Sequence, residues 1–325
     1  NGFRKTPFTS QHQLMLSHAF ATEAFRIKYS GQWREAVGGA DLTFDADIKA
    51  PDNTQNFFGR GNETRFDKTG KFKRYYRIRF NTVDLAPALR WNLEEQSSIS
   101  LGPAFQYYHM DPIENEGRFI EQTALLQSYD SATLYKDKIH LGLQAGFELD
   151  HRNNKVLPVW GTYLQVQLNV YKGLNAYSGS YAQLLPQIAV YKPLNNRHTL
   201  ILSDRIGGGV TVGKAAFYQS VFLGGQGNLL GYRNYRFAGM HALYNNLELR
   251  WALADFGNYI VKGEFGLTGF YDVGRIWQPA EHSDKWHNGV GGGFYFAPAG
   301  LTVFKFNMGY SPEGWYPYFS MGIRF

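Results

Sequence analysis

Alternation of apolar and polar side chains over unusually long segments is the feature that most limits what this chain can fold into. From Ile139 the apolar residues Ile139, Leu141, Leu143, Ala145, Phe147 and Leu149 share one parity, while His140, Gly142, Gln144, Gly146, Glu148 and Asp150 share the other. Leu164, Val166, Leu168 and Val170 repeat the pattern against Tyr163, Gln165, Gln167 and Asn169, and Ala182, Leu184, Pro186, Ile188 and Val190 repeat it against Tyr181, Gln183 and Gln187. A period of two is the signature of a strand with one apolar face. No run of eighteen apolar residues occurs, so the sequence offers no helical membrane span. A soluble sandwich also alternates, and the choice of architecture needs two further features.

The first is length. Apolar faces of five or six positions match the roughly 9–11 residues with which a tilted strand crosses a bilayer. The second is the connections. Strands are predicted over 11–22, 24–34, 39–50, 73–93, 98–110, 136–150, 159–172, 178–192, 198–212, 241–253, 259–276, 287–296, 301–310 and 317–325. The connections after even-numbered strands are short, while 51–72, 111–135 and 213–240 are long, and such asymmetry is the pattern of outer-membrane barrels. The polar faces carry Gln, Asn, Glu, Lys and Arg, which suits a wet lumen and not the apolar core between two sheets. Closure into a cylinder satisfies every backbone group in hydrocarbon. The expected fold is therefore all-β: a transmembrane antiparallel barrel, fourteen strands of which lie within residues 1–325. Trp33, Tyr107, Trp160, Tyr171, Trp251, Trp277 and Tyr310 fall near strand ends and suit interfacial girdles.

Composition closes off other classes. There is no Cys, hence no disulfide framework or thiolate metal site. The net charge of +6 is spread along the chain, and its densest stretch, Lys68 to Arg79, is interleaved with Tyr75, Tyr76 and Phe80. No one-faced basic patch of the kind nucleic acid requires is visible, so nucleic acid is not an expected partner. Outer-membrane lipid or lipopolysaccharide is, together with other outer-membrane or periplasmic proteins. Gly208, Gly213 and Lys214 imitate part of a phosphate loop, but Ala215 stands where a magnesium-binding hydroxyl is needed. The nine His show no metal-ligand spacing; His282 and His287 with Glu281 and Asp284 are at most a solvated loop cluster. A G-x-S-x-G nucleophile elbow is missing. No catalytic residue, metal or cofactor is expected. Asn62-Glu63-Thr64 is a formal glycosylation sequon, without meaning in a bacterial host.

The stretch FYQSVFLGGQGNLLGYRNYRFAG from Phe217, with the strands YNNLELRWAL and GEFGLTGFYDVGRIW after it, resembles the outer-membrane protein assembly factor superfamily, the bacterial surface antigen barrels of BamA and TamA type. NFFGRGNET (Asn56 to Thr64) resembles members from Bacteroidetes-type bacteria. The resemblance implies a long extracellular loop folded into the lumen, with its tip motif at Leu229, Leu230, Gly231 and Tyr232. It implies inward carboxylates at Glu248 and Asp272, the latter in an Asp-x-Gly element with Gly274. Leu230 occupies the place of the family's tip Arg, and Leu cannot pair with a carboxylate. Arg233 or Arg236 is expected to take over, because an unpaired inward charge is costly. The family has sixteen strands, eleven of them before the loop, against nine counted here. The first hairpin and the N-terminal periplasmic domains are thus expected to be missing, a complete fourteen-stranded barrel being the alternative. Phe319, Met321, Ile323 and Phe325 share one parity and resemble the C-terminal assembly signal of outer-membrane proteins. The implied function is insertion or translocation of polypeptides at the bacterial outer membrane. A membrane anchor fused to a phosphoesterase or a patatin-like enzyme is the alternative, and a passive pore a third.

Overall fold

The computed structural model describes residues 8–93, 96–122, 128–257, 262–279, 281–322 and 324–325. Its main feature is one antiparallel sheet of fourteen strands in strict sequence order. The nine before the long loop are β1 (Ser10–Ala19), β2 (Ala24–Val37), β3 (Ala40–Lys49), β4 (Asn81–Asn92), β5 (Ser98–His109), β6 (Lys138–Asp150), β7 (Gly161–Gly173), β8 (Tyr181–Pro193) and β9 (Leu200–Gly213). The five after it are β10 (His241–Gly257), β11 (Lys262–Trp277), β12 (His287–Pro298), β13 (Phe304–Ser311) and β14 (Gly314–Met321). Each strand pairs with its sequence neighbours, whereas among the described residues β1 and β14 are not paired with one another. The wall therefore has two edges.

The alternation sorts the wall into two faces as the sequence implies. Leu141, Leu143, Val170, Ile188 and Val210 lie on the outer face and are exposed to the surrounding medium, which for this wall is lipid. His140, Asn169, Arg205, Glu248 and Asp272 are buried on the inner face. Tyr171 is an exception among the expected girdle residues. Its parity places it inward, where it stacks on Tyr181 with centroids 5.3 Å apart and accepts a hydrogen bond from Gln144 Nε2 at 3.0 Å.

Most strand boundaries lie within four residues of expectation, and two of the differences bear on the architecture. Residues 73–80 do not extend β4; they form the single turn α1 (Phe72–Tyr75) and a short strand, Arg77–Arg79, paired with Thr54–Asn56. Their aromatics pack with one another instead of facing lipid. Phe57, Phe58, Tyr76, Ile78 and Phe80 join Tyr108, Phe119, Ile120 and Phe217 in a buried cluster assembled from three outer loops and the end of β5. This canopy covers the outer mouth. The last strand stops at Met321, four residues early, because Gly322 takes a positive φ of 102° that leaves extended geometry.

Candidate functional site

The long loop between β9 and β10 enters the lumen as a hairpin. Val221–Leu223 pairs with Phe237–Gly239, so the chain descends and returns beside itself. Val221, Leu223, Leu229, Tyr232 and Phe237 bury their side chains against Ala242 and Ile276 of the wall. At the tip, Leu230 packs between Phe270 of β11 and Tyr318 of β14. Burial of this apolar surface, at about 25 cal/mol per Å², explains why Leu is tolerated at a position where the family resemblance calls for Arg.

Polar bonds then fix the depth of the tip. Leu230 N–H donates to Asp272 Oδ2 at 2.7 Å. Gly231 N–H donates to the Tyr318 hydroxyl at 2.9 Å, and that hydroxyl donates onward to Tyr232 O at 2.6 Å. Ser311 Oγ–H donates to Gly231 O at 2.6 Å, and Gln226 Nε2 to Phe319 O at 2.6 Å. Asn246 Nδ2 and Arg205 Nη2 hold the other side of the tip through Asn228 O at 2.7 Å and Gly227 O at 2.6 Å. Gly231 itself needs glycine, since its φ is +93°. Gly289 of β12 needs it for a different reason: a Cβ there would overlap the Leu230 carbonyl.

The carboxylates find cations other than those expected. Glu248 Oε1 accepts from Lys305 Nζ at 2.6 Å, with both side chains at most 4% exposed. Asp272, fully buried, receives both terminal nitrogens of Arg324, one at 2.8 Å to Oδ1 and the other to Oδ2. Arg233 and Arg236 do not reach either carboxylate. The hairpin geometry explains this, because both residues are already on the returning limb beside Gly224. Arg236 pairs there with Glu313 Oε1 at 2.6 Å and bonds Thr64 Oγ1 and O at 2.7 and 2.6 Å. The Arg233 guanidinium lies 5.2 Å from the Phe72 ring and 5.6 Å from that of Phe66.

The apolar series at the end of the chain is also divided. Phe319 and Met321 project outward from β14 and are strongly exposed. Phe325 does not share that face: beyond the turn at Gly322 it lies inside, its ring 4.9 Å from the Arg205 guanidinium and its carbonyl accepting from the Tyr191 hydroxyl. Ile323 lies outside the described residues.

Outer-loop polar residues serve structure. The Asn62 side chain, fully buried, donates to Ser283 Oγ and Lys285 O at 2.9 and 2.8 Å, so the sequon is not presented to solvent. Glu281 accepts from the Asn62 and Glu63 N–H groups and His287 Nε2 bonds Asn62 O at 2.8 Å. Among the described residues no cluster of metal-ligand type occurs. Burial pushes the Tyr129 hydroxyl up to about 12. Burial, and then Arg79, Arg74 and Arg77, lower Arg118 from its usual value.

A wall of lipid-facing strands around a lumen filled by its own loop defines the class of protein: a plugged transmembrane β-barrel. Residues 36–325 match the model of the Omp85 superfamily domain, and the chain belongs to that superfamily of the bacterial outer membrane. Among solved structures it is similar to BamA from Haemophilus ducreyi lacking POTRA domains 1–3, with 14% identity, a TM-score of 0.64, and 96% of this chain covering 67% of that one. It is also similar to CdiB from Acinetobacter baumannii, with 12% identity, a TM-score of 0.58, and coverage of 97% and 53%. For CdiB from Escherichia coli the values are 11%, 0.54, and 97% and 59%. The chain thus spans between about half and two thirds of these structures. No curated protein matches its sequence. Neither the family nor these relatives supports the expectation of a barrel fused to a phosphoesterase or patatin-like enzyme.

Sequence reasoning finds the loop, its tip and both carboxylates. It misses Tyr318, Ser311, Gly289, Lys305 and Arg324, whose parity is legible but whose partners across the lumen are not.

Proposed function

We propose that this barrel assists the insertion or translocation of polypeptides at the outer membrane, acting without catalysis, metal or cofactor. The observation that carries the reading is the pair of unpaired edges, β1 and β14, in an otherwise continuous wall. An unpaired edge presents a row of N–H and C=O groups that a further strand can complete. A client strand adding there gains backbone pairing while its alternate side chains meet lipid and lumen. Asn56 to Thr64 supports an origin in a Bacteroidetes-type bacterium. Outer-membrane lipid and other outer-membrane or periplasmic proteins are the proposed partners. A passive pore fits poorly with a lumen occupied by the loop beneath the aromatic canopy.

The test uses the lack of native cysteine. Leu14→Cys in β1 and Phe319→Cys in β14 are joined by a cleavable bis-maleimide in the full-length protein, reconstituted in liposomes. Insertion of a barrel client is expected to fall when the edges are joined and to return on cleavage. Equal insertion with the edges joined overturns the reading.

A further inference from the structure

We propose that Arg324 is a positioning residue for the inserted loop: by gripping Asp272, it makes the segment after β14 and the loop tip one mechanical unit. The argument rests on the sharing of a single buried carboxylate. Asp272 projects inward from β11 and accepts three bonds, two from the Arg324 fork and one from the Leu230 N–H. A carboxylate held by a bidentate guanidinium is fixed in orientation as well as in charge. Its remaining lone pair is then aimed at the loop backbone. Without the fork, Asp272 is a buried charge with one amide partner, and its carboxylate is free to rotate.

Three further contacts point to the same unit. The Arg324 guanidinium lies 5.7 Å from the Phe270 ring, the ring on which Leu230 also packs. Phe325 sits against Arg205, whose Nη2 donates to Gly227 O at the start of the tip. On β14 itself the Tyr318 hydroxyl bridges Gly231 N–H and Tyr232 O. The tip is therefore gripped from strand and tail together, and the turn at Gly322 is what lets the tail enter the lumen. In this chain the guanidinium at the tip comes from the tail, 52 residues beyond the carboxylate it holds. Displacing the end of β14 should unseat the loop, and unseating the loop should loosen the end of β14.

The assignment stands on this geometry and does not depend on the insertion reading, and its test reads loop seating alone. Trypsin cleavage after Arg233 is followed in detergent-solubilised full-length protein, with heat-modifiable migration as the measure of an intact wall. Arg324→Gln is expected to speed cleavage about tenfold while the wall stays folded, the scale of losing one charged hydrogen-bonded contact. Arg324→Lys, which keeps the charge without the fork, should fall between the two. Asp272→Asn should match Arg324→Gln, and the double variant should be no faster than either single, because both remove one shared interaction. If Arg324→Gln disrupts the wall, the comparison of Arg324→Lys with native protein decides the matter. Unchanged cleavage in Arg324→Gln, or in Arg324→Lys where that comparison decides, overturns the proposal. Additive effects in the double variant do the same.

Discussion

The two edges of the wall are built from the same alternating pattern yet are restrained in opposite ways. Every residue of β1 is exposed, and its described hydrogen bonds are to β2 and, at Ala19 O, to Thr22 of the turn that joins the two strands. β14 pairs with β13 on one side and is bonded to the loop through Tyr318 and Phe319 O, while Arg324 beyond Gly322 holds Asp272 of β11, the acceptor of the Leu230 N–H. Ion pairs differ in the same sense. Arg26 and Asp47, near β1, form a two-bonded pair whose side chains remain 40% and 23% exposed, whereas Lys305 and Glu248, near β14, are dry. Strand pairing alone therefore does not set the strength of an edge; what lies against its inner face does.

That contrast can be broken or sharpened by substitution. The largest effect is expected at the dry pair. Lys305→Met leaves Glu248 charged and buried without its partner, a loss of about 3–5 kcal/mol, to be read as a lowered denaturant midpoint for the β12–β14 region. Next is Gly289→Val, which forces side-chain atoms into the Leu230 carbonyl. Overpacking costs about 1–3 kcal/mol, and trypsin should then reach Arg233 while β14 becomes as accessible to hydrogen exchange as β1. Tyr318→Phe leaves Gly231 N–H and Tyr232 O unsatisfied and should cost about 1–3 kcal/mol, with exchange rising at both residues. The smallest effect belongs to the other edge. Asp47→Asn should cost at most about 1 kcal/mol, since half-exposed pairs are screened, and thermal unfolding should hardly move. A large loss there would show that the two edges are held alike.

Much of this arrangement is legible without coordinates, because alternation reports which face each residue takes. All fourteen strands follow from it, whereas the inserted loop and the inward Glu248 and Asp272 are legible only through the family resemblance. Alternation fails where aromatics pack on one another, as Tyr75, Tyr76 and Phe80 do in the canopy, since their spacing imitates a strand. It also fails past a glycine that breaks extended geometry, which is why parity sets Phe325 beside Phe319 and Met321 although its ring lies inside. The partnership of Arg324 with Asp272 is out of reach for a third reason. Parity places Arg324 in the lumen and the resemblance places Asp272 there, but only strand register and the turn at Gly322 bring them together.

The canopy carries a consequence for how the molecule is made. Phe57 and Phe217 touch with centroids 5.1 Å apart, yet six wall strands, β4 to β9, separate them along the chain. Contacts of such long sequence separation form only after the intervening loop closures have been met. The roof is thus a late step of maturation: until the curved sheet has brought its hairpins around, these rings have nothing to rest on, and a half-finished molecule presents them to whatever meets it first.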